Sequence, residues 1–353
     1  KPQAVGYQPY HFGVLDTAIR SNAKVMQNLF HMTAVVNGQI PWQGIYNVDP
    51  KRDPERGYIV HSVGKTALVG PLIGIAVDKD LLTLDTRVVD VIGHFFPEDD
   101  PHRELREKMT VRDLLAMQSG LARWAPVSFD NFDSLHYGRD ILALPMDDEP
   151  GTKRVYNNGN SILLFWMLQT ALSGQPIEFA VGNERGRLLD FMREFYLDPL
   201  GMRPSEWHLT PDGIPNAPGW ARLTPEDQAA FATMFLNNGE YNGRTILSAD
   251  WIQAMQQIHS DAGTYRYYPR MGYGLHTQIL DSSAGGEDGQ IIPTAIGFAG
   301  QNILFFTEKN AAVIINSRSD EEDHEYMRAL EGLVLEHVFP LFGVNLASPS
   351  IIH

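Results

Sequence analysis

Residues 58–69 read Tyr-Ile-Val-His-Ser-Val-Gly-Lys-Thr-Ala-Leu-Val and place a serine and a lysine three positions apart, at Ser62 and Lys65. The short apolar run before His61 predicts an extended segment. The apolar run after Lys65 predicts a buried helix whose first turn holds both side chains. Residues three apart on a helix lie on one face, near enough for the amine to accept the hydroxyl proton. The stretch therefore predicts a nucleophilic serine at the start of a helix.

The position predicted for this pair favours reactivity. Free backbone N–H groups and the positive end of the helix dipole stabilise an oxyanion and a deprotonated nucleophile. Burial in an apolar helix would push Lys65 towards the neutral amine, which is the form that accepts a proton. We therefore identify Ser62 as a candidate nucleophile and Lys65 as its candidate base.

A second match to the S-x-x-K pattern, Ser21-Asn-Ala-Lys24, lies in the polar face of a helix predicted over residues 11–29. No strand precedes it and no turn exposes its hydroxyl, so a solvated helix surface is the simpler interpretation. About one chance match is expected in a chain of this composition. We therefore expect at least one of the two matches to be accidental and prefer Ser62.

Tyr156-Asn157-Asn158 is the chain's only Tyr-x-Asn and lies in a loop before a helix predicted over residues 161–172. A phenol near Lys65 could shuttle a proton to a leaving group, while the Asn158 amide could hold Lys65 and the substrate. An ordinary helix-capping turn is the alternative interpretation. Tyr156 and Asn158 are therefore candidates for proton transfer and substrate positioning.

A glycine-bearing segment near the C-terminus, Ala295-Ile-Gly-Phe-Ala-Gly-Gln301, has a strand-like pattern. Glycine inside a strand indicates close backbone approach, either to a ligand or to another chain segment. If this strand borders the site at Gly297, the N–H of Phe298 could pair with the N–H of Ser62 as an oxyanion hole. A bend in the sheet is the alternative interpretation.

Strand-like patterns occupy the two ends of the chain. Near the N-terminus, residues 31–36 and 39–42 flank Asn37-Gly38, a dipeptide that favours a type I′ hairpin turn. Further strands are predicted at residues 273–279, 294–298, 302–307 and 311–316, followed by a helix over residues 321–338.

The middle of the chain is mainly helical in pattern. Helices are predicted over residues 111–118 and over residues 225–237, where Thr224 is a plausible N-cap and Pro225 occupies the first helical position. Strands at both ends and helices between them predict an α/β (α+β) fold in which one domain is interrupted by another. We expect a discontinuous α/β domain, residues 1–78 and 243–353, and an inserted helical domain, residues 79–242.

Composition excludes several classes of function. The chain has 353 residues, 28 Lys+Arg and 43 Asp+Glu, for a formal net charge of −15. Without clustered basic residues it is not expected to bind nucleic acid, and no apolar stretch is long enough to span a bilayer. The absence of cysteine excludes disulfides and a thiol nucleophile. H-E-x-x-H and G-x-S-x-G motifs are missing, so we expect no metal or cofactor and no α/β-hydrolase nucleophile elbow.

The cellular location is indicated only indirectly. The chain begins at Lys1 rather than Met, which fits either a mature form whose signal peptide was removed or a trimmed chain. We expect a periplasmic or secreted protein, with a cytoplasmic one as the alternative. The sequence does not indicate the oligomeric state.

Together, the motifs resemble a known family. Ser62-x-x-Lys65, then Tyr156-x-Asn158, then a glycine-bearing strand near the C-terminus, in that order, resembles the serine β-lactamase-like (penicillin-recognising) superfamily and its class C β-lactamase and esterase branch. The stretch Met109-Thr-Val-Arg-Asp-Leu-Leu-Ala-Met-Gln-Ser-Gly-Leu121 is also similar to that branch. The resemblance covers most of the chain, from about residue 34 to residue 339.

The resemblance implies a fold and a set of roles. The fold is an antiparallel sheet flanked by helices, with an all-helical domain beside it and the active site in the cleft between them. Ser62 would be the acylated nucleophile, Lys65 its base, Tyr156 the general acid/base and Asn158 a positioning residue. The amides of Ser62 and Phe298 would form the oxyanion hole.

One departure from the family pattern affects the expected substrate. β-Lactamases and transpeptidases carry Lys-Thr-Gly or His-x-Gly on the C-terminal strand, whereas the aligned residues here are Ala295-Ile296-Gly297. The segment is more similar to that of aminohexanoate-oligomer hydrolases and related esterases. We expect a serine hydrolase of the carboxylesterase or amidase type that acts on a small ester or amide. A β-lactamase or D-Ala-D-Ala carboxypeptidase and a non-catalytic binding relative of the same fold are the alternatives.

Overall fold

The computed structural model describes residues 9–47, 54–123, 137–174, 185–204, 206–211, 213–216, 221–265, 268–281, 290–318 and 323–344. The α-helices are α1 (Pro9–Ser21), α2 (Gly70–Asp78), α3 (Val88–Ile92), α4 (Arg103–Arg106), α5 (Val111–Leu115), α6 (Tyr137–Leu142), α7 (Asn158–Ser173), α8 (Arg185–Met192), α9 (Asp198–Leu200), α10 (Pro225–Leu236), α11 (Ala249–Gln256), α12 (His324–Leu333) and α13 (Phe339–Leu341). The strands are β1 (Leu29–Val36), β2 (Gln39–Ile45), β3 (Tyr58–Ile59), β4 (Glu206–Trp207), β5 (Ala221–Leu223), β6 (Glu240–Tyr241), β7 (Arg244–Thr245), β8 (Ser260–Tyr265), β9 (Tyr268–Tyr273), β10 (Gln278–Asp281), β11 (Ile291–Ile296), β12 (Asn302–Phe306) and β13 (Ala311–Ser317).

The centre of the fold is an eight-stranded antiparallel sheet with strand order β2-β1-β13-β12-β11-β10-β9-β8. The N-terminal strand β1 pairs with the C-terminal strand β13, with Met32 opposite Ile315 and Ala34 opposite Val313. These partners lie about 280 residues apart in the sequence. β1 and β13 can therefore pair only after most of the chain has been synthesised. The predicted antiparallel sheet flanked by helices is confirmed.

Both faces of the sheet are covered. Along β13, Ala312 and Ile314 pack into a core shared with the helices from the middle of the chain. The alternate residues Val313 and Ile315 pack into a second core with α1, α12 and α13. Side chains alternate across a strand, and a strand buried on both faces is apolar along its whole length.

The N-terminal hairpin forms as predicted. Asn37 and Gly38 connect β1 to β2 with φ angles of 49° and 68°, and two successive positive φ values define the type I′ turn. The N-cap predicted at Thr224 is also confirmed, because its hydroxyl accepts from the Asp227 amide at 3.0 Å and its own amide donates to the Asp227 carboxylate at 2.9 Å. Both features depend on residues close together in the sequence.

Several predicted elements differ from the structure. The strand predicted over residues 294–298 ends at Ile296, so Gly297 follows the strand and Phe298 begins a short 3₁₀ turn. The helix predicted over residues 11–29 ends at Ser21, and Leu29 already belongs to β1. A strand buried on both faces carries no period of two, so periodicity cannot separate its first residue from the preceding helix. The single strand predicted over residues 273–279 is divided, because a turn with His276 at a φ of 54° separates β9 from β10.

The middle of the chain contains short strands besides helices. β3, β5 and β4 form a three-stranded sheet, and β6 and β7 form a hairpin. No helix in the described ranges is long and apolar enough to cross a membrane. The division into residues 1–78 with 243–353 and residues 79–242 stays a prediction.

His31 on β1 generates a prediction about acid stability. Its ring is 3% exposed, and neither ring nitrogen has a hydrogen-bond partner among the described residues. Burial lowers the pKa of His31 below its ordinary value of 6.5, so the unfolded chain takes up a proton first as the pH falls. The free energy of unfolding should therefore decrease below about pH 6.5.

We expect His31→Leu to lose less stability than wild type between pH 7 and pH 5, measured by urea denaturation. His94→Gln, which alters an exposed histidine, serves as the control and should follow the wild-type curve. Parallel pH curves for His31→Leu and wild type would contradict the prediction.

Candidate active site

Ser62 lies at the junction of a strand and a helix. β3 ends at Ile59, and the Val60 amide donates to the Ala221 carbonyl of β5 at 3.1 Å. His61 then has a φ of 48°, an unfavourable backbone conformation for a residue with a side chain. The Lys65 amide donates to the Ser62 carbonyl at 3.1 Å, so the helical turn begins directly at Ser62, as predicted. The serine is half-buried at this turn.

Lys65 opens a π-helical turn, Lys65–Val69, that continues into α2. Its side chain is 1% exposed, and its Nζ donates to Ser62 Oγ at 3.0 Å. The structure thus brings the Ser62–Lys65 pair into contact with the amine removed from water.

Tyr156 reaches the same hydroxyl from another part of the chain. Its phenol donates to Ser62 Oγ at 2.7 Å, and its ring centroid lies 4.9 Å from Lys65 Nζ. Asn157 is the N-cap of α7 and accepts from the Gly159 amide at 2.8 Å. The capping interpretation of this loop is therefore correct for Asn157, and the same turn presents Tyr156 to Ser62.

The environment separates the protonation states of Lys65 and Tyr156. Burial lowers the pKa of Lys65 from its ordinary value of 10.5 to about 7. Burial raises the pKa of the Tyr156 phenol to about 12, although its hydrogen bond with Ser62 and the positive charge of Arg154 act in the opposite direction. Near neutral pH a substantial fraction of Lys65 is therefore a free amine, whereas Tyr156 keeps its proton. Two groups with such separated pKa values can act as base and acid.

Asn158 is the first residue of α7 and is half-buried, two positions after Tyr156 in the sequence. Its Oδ1 atom is buried and has no hydrogen-bond partner in the described parts of the chain. A buried amide oxygen without a partner can accept a hydrogen bond from a ligand. The predicted role of Asn158 in holding Lys65 and the substrate stays a prediction.

Gly297 lies against the backbone that precedes Ser62. A Cβ atom at Gly297 would lie 2.6 Å from the Val60 carbonyl oxygen, so close approach of another chain segment explains the glycine. Phe298 follows, 37% exposed, and its ring lies 5.4 Å from the His61 ring in an edge-on contact. Within the described residues, the amides of Ser62 and Phe298 donate to no backbone carbonyl. Both amides are thus available for the predicted oxyanion hole.

His276 is a residue that the sequence did not single out. It is fully buried, its Nδ1 donates to the Leu115 carbonyl at 2.9 Å, and the Ser161 hydroxyl donates to its Nε2 at 2.8 Å. Its own carbonyl accepts from Thr66 Oγ1 at 2.6 Å. Burial, together with the charge of Lys65, lowers its pKa to about 3. A neutral His276 therefore links the π-helical turn of Lys65 to α5 and α7 by hydrogen bonds.

The sequence motifs do not identify Arg154 either. Its guanidinium carbon lies 4.8 Å from the centroid of the Tyr273 ring and 5.9 Å from that of Tyr156. A guanidinium over two aromatic rings is stabilised by cation–π attraction. Only the tertiary fold brings Tyr273 to this position, so no local pattern could have identified the arrangement.

Ser21 and Lys24 do not form a comparable pair. Ser21 is the last residue of α1 and is exposed, and its hydroxyl donates to the Ala18 carbonyl at 3.0 Å. Lys24 is exposed as well. A solvated helix end is the interpretation that fits this S-x-x-K match. Among the described residues, no group of three or more His, Asp or Glu side chains is arranged to hold a metal ion.

Comparison with known proteins identified a matching family model. The model, described as Beta-lactamase, matches residues 31–336. Comparison with curated protein sequences gave no match. Three solved structures resemble the chain in fold, at sequence identities of 22%, 18% and 14%.

A crystal structure from Bacteroides dorei, of a protein assigned as a beta-lactamase, is 22% identical, with a TM-score of 0.70 over 93% of this chain and 98% of that one. A protein from Bacillus anthracis assigned as a 6-aminohexanoate-dimer hydrolase is 18% identical, with a TM-score of 0.65 over 92% and 82% of the two chains. EstCE1, described as a hydrolase with promiscuous acyltransferase activity, is 14% identical, with a TM-score of 0.70 over 92% and 98%.

The burial of Lys65 generates a prediction about stability. The unfolded chain keeps the lysine proton up to about pH 10.5, whereas the folded chain loses it near pH 7. Between these values folding releases a proton, so the stability of wild type rises with pH. The cost of burying the amine at pH 7 amounts to roughly 5 kcal/mol at most.

We expect Lys65→Met to unfold at higher urea concentration than wild type at pH 7.5, with the difference shrinking towards pH 10. Lys108→Met, at an exposed lysine whose amine pairs with Glu149 at 2.6 Å, should differ little from wild type at either pH. A Lys65→Met variant that is less stable than wild type at pH 7.5 would contradict the prediction.

Proposed function

The chain belongs to the Beta-lactamase family, and from that membership we propose that it is a serine hydrolase that cleaves an ester or amide bond through an acyl-enzyme on Ser62. One observation carries the proposal: Ser62 Oγ accepts from both Lys65 Nζ, at 3.0 Å, and the Tyr156 phenol, at 2.7 Å. A nucleophile within reach of a base and an acid is the arrangement that acyl transfer requires.

In the acylation step, the neutral amine of Lys65 takes the Ser62 proton as Oγ attacks the carbonyl carbon. The negative charge that develops on the carbonyl oxygen is stabilised by the amides of Ser62 and Phe298. As the bond to the leaving group breaks, Tyr156 donates its proton to the departing oxygen or nitrogen and regains one from Lys65. Asn158 positions the substrate beside the pair.

In the deacylation step, water takes the place of the leaving group and the proton transfers run in reverse. Tyr156 takes the proton of the attacking water as it passes its own proton to Lys65, the acyl bond to Ser62 Oγ breaks, and the Lys65 ammonium returns a proton to the serine. The balance is one water consumed, with one acid and one alcohol or amine released. The oxidation states of all reacting atoms are unchanged.

The choice of an uncharged ester or amide rests on the C-terminal strand. The position where β-lactamases and transpeptidases carry the Lys or His cation is Ala295 here, and it is buried. The names of two structural neighbours, a 6-aminohexanoate-dimer hydrolase and a hydrolase with promiscuous acyltransferase activity, support the carboxylesterase or amidase hypothesis. A non-catalytic relative would have no need to keep Ser62, Lys65 and Tyr156 in contact.

The first test of the proposal is labelling of Ser62. We expect a fluorophosphonate to add one phosphonyl group to the intact chain, and we expect 4-nitrophenyl acetate to be hydrolysed. Ser62→Ala should abolish both and Ser21→Ala should leave both unchanged. Absence of adduct and turnover in wild type would contradict the enzyme hypothesis, and full activity of Ser62→Ala would contradict the choice of serine.

The same assay run with other substrates separates the alternatives. Nitrocefin, a D-Ala-D-Ala peptide and linear amides are compared with the ester at equal enzyme concentration. We expect the ester or a linear amide to give the highest kcat/KM. A higher kcat/KM for nitrocefin or for the D-Ala-D-Ala peptide would favour the β-lactamase or carboxypeptidase alternative.

The pKa values predict the pH profile. Because Lys65 must be neutral to accept the serine proton and has a pKa of about 7, kcat/KM for the ester should rise through an apparent pKa near 7. Because the pKa of Tyr156 is about 12, no decrease is expected up to about pH 10. Lys65→Arg, which stays protonated, should lose at least about 100-fold in kcat/KM at every pH. A rise centred near pH 10 would contradict the lowered pKa of Lys65, and wild-type kcat/KM in Lys65→Arg would contradict its role as the base.

A further inference from the structure

Three buried side-chain amides form a connected chain between α10 and the sheet. Gln228, Gln301 and Asn316 are each at most 3% exposed. Asn316 Nδ2 donates to Gln228 Oε1 at 3.2 Å and to Gln301 Oε1 at 3.1 Å, and Gln228 Nε2 donates back to Asn316 Oδ1 at 3.3 Å. Buried amides cost free energy unless they are paired. The three side chains therefore form a continuous hydrogen-bonded network, in which each amide fixes the orientation of the next.

One end of this amide chain holds the backbone that leads to Ser62. Gln228 Nε2 also donates to the Leu223 carbonyl of β5 at 3.3 Å. β5 pairs with β3, and the Ala221 carbonyl accepts the Val60 amide at 3.1 Å. Ser62 follows Val60 by two residues, so a shift of β5 would move the serine amide.

The other end holds the turn that carries Phe298. The Gln301 side-chain amide donates to the Ser317 carbonyl, and the Gln301 backbone carbonyl accepts the Gly297 amide at 2.8 Å. The Ser317 hydroxyl donates to the Ala299 carbonyl at 2.6 Å. Ala299 has a φ of 62°, a left-handed conformation that is strained for a residue with a Cβ atom. These bonds therefore hold a strained turn in one geometry.

We propose that the Gln228–Asn316–Gln301 amide chain is a positioning network that sets the separation of the Ser62 and Phe298 amides in the oxyanion hole. The inference rests on the proposed function, because an oxyanion hole has a use only if Ser62 is acylated. The two backbone segments already meet where Gly297 packs on the Val60 carbonyl. The amide chain then fixes how each segment lies against the other.

Catalysis makes a strict demand on this separation. Oxyanion-hole donors must lie about 2.7–3.1 Å from the developing oxyanion, and a displacement of about 1 Å can cost on the order of 100-fold in rate. Neither amide is held by a hydrogen bond of its own to a backbone carbonyl in the described residues. The restraint therefore has to come from the segments on either side.

The test replaces all three amides at once in the full chain, as Gln228→Met, Asn316→Leu and Gln301→Met. When all three amides are replaced, none of them is left buried without its amide partner. This limits the loss of folding stability. Gln169→Met is the matched control, since Gln169 is 2% exposed and accepts the Leu188 amide at 3.0 Å in the helical part of the chain. The measurements are kcat and KM for 4-nitrophenyl acetate, the inhibition constant of phenylboronic acid, and the melting temperature.

We expect the triple variant to lose about 10-fold to 100-fold in kcat, with KM changed by less than about threefold, because the lost interaction exists only in the transition state. The inhibition constant of phenylboronic acid, whose tetrahedral Ser62 adduct places a hydroxyl in the hole, should rise by a similar factor. Gln169→Met should keep the wild-type kcat and inhibition constant. A folded triple variant with wild-type kcat and inhibition constant would overturn the inference.

If the triple variant does not fold, Gln301→Met alone decides. It removes the member of the amide chain that joins Asn316 to the Ser317 carbonyl, and we expect kcat and boronic acid affinity to fall about 3-fold to 10-fold with KM unchanged. Unchanged kcat and boronic acid affinity in folded Gln301→Met would overturn the inference. Failure of the proposed function is a separate result, in which wild type itself neither hydrolyses the ester nor takes up the fluorophosphonate.

Discussion

Removal of water from the Lys65 amine is the constraint on which the rest of the site depends. Moving the pKa of a lysine from 10.5 to about 7 requires that the ammonium lose more hydration free energy than its surroundings return. The fold meets this requirement by packing α7 and β11 against the π-helical turn of Lys65, with His276 bonded to Thr66 in the same turn. Burial of this amine lowers the free energy of unfolding of the protein. Such local destabilisation is common at functional sites.

The pairing of strands from distant parts of the chain determines where the other parts of the site lie. Ser62 precedes α2 in the first quarter of the chain, Tyr156 precedes α7, and Phe298 follows β11. Pairing of β1 with β13 and of β3 with β5 brings these segments together from distant positions. Both strand systems are antiparallel, and their backbone hydrogen bonds fix the register of each pair of segments. The geometry around Ser62 Oγ follows from that register.

The parts of the fold that can be predicted correctly depend on short-range chemistry. Asn37-Gly38 specifies its turn because both residues tolerate positive φ, and Thr224 specifies a helix start because its hydroxyl and the Asp227 carboxylate pair with backbone amides three residues apart. Prediction fails where burial on both faces removes the periodicity. Leu29 belongs to a strand rather than to the preceding helix, and residues 273–279 form two strands because His276 turns the chain with a positive φ.

For the candidate site, the residue types and their order can be predicted without the structure. Ser62 and Lys65 lie one helical turn apart, so their contact follows from local geometry, and Tyr156 and Gly297 were recognised by pattern. Three features depend on long-range packing and could not be predicted: the contact of the Tyr156 phenol with Ser62, the packing of Gly297 on the Val60 carbonyl, and the amide chain through Asn316. The protonation states also depend on the tertiary structure, because the pKa of a lysine or a tyrosine depends on the water that the surrounding fold excludes.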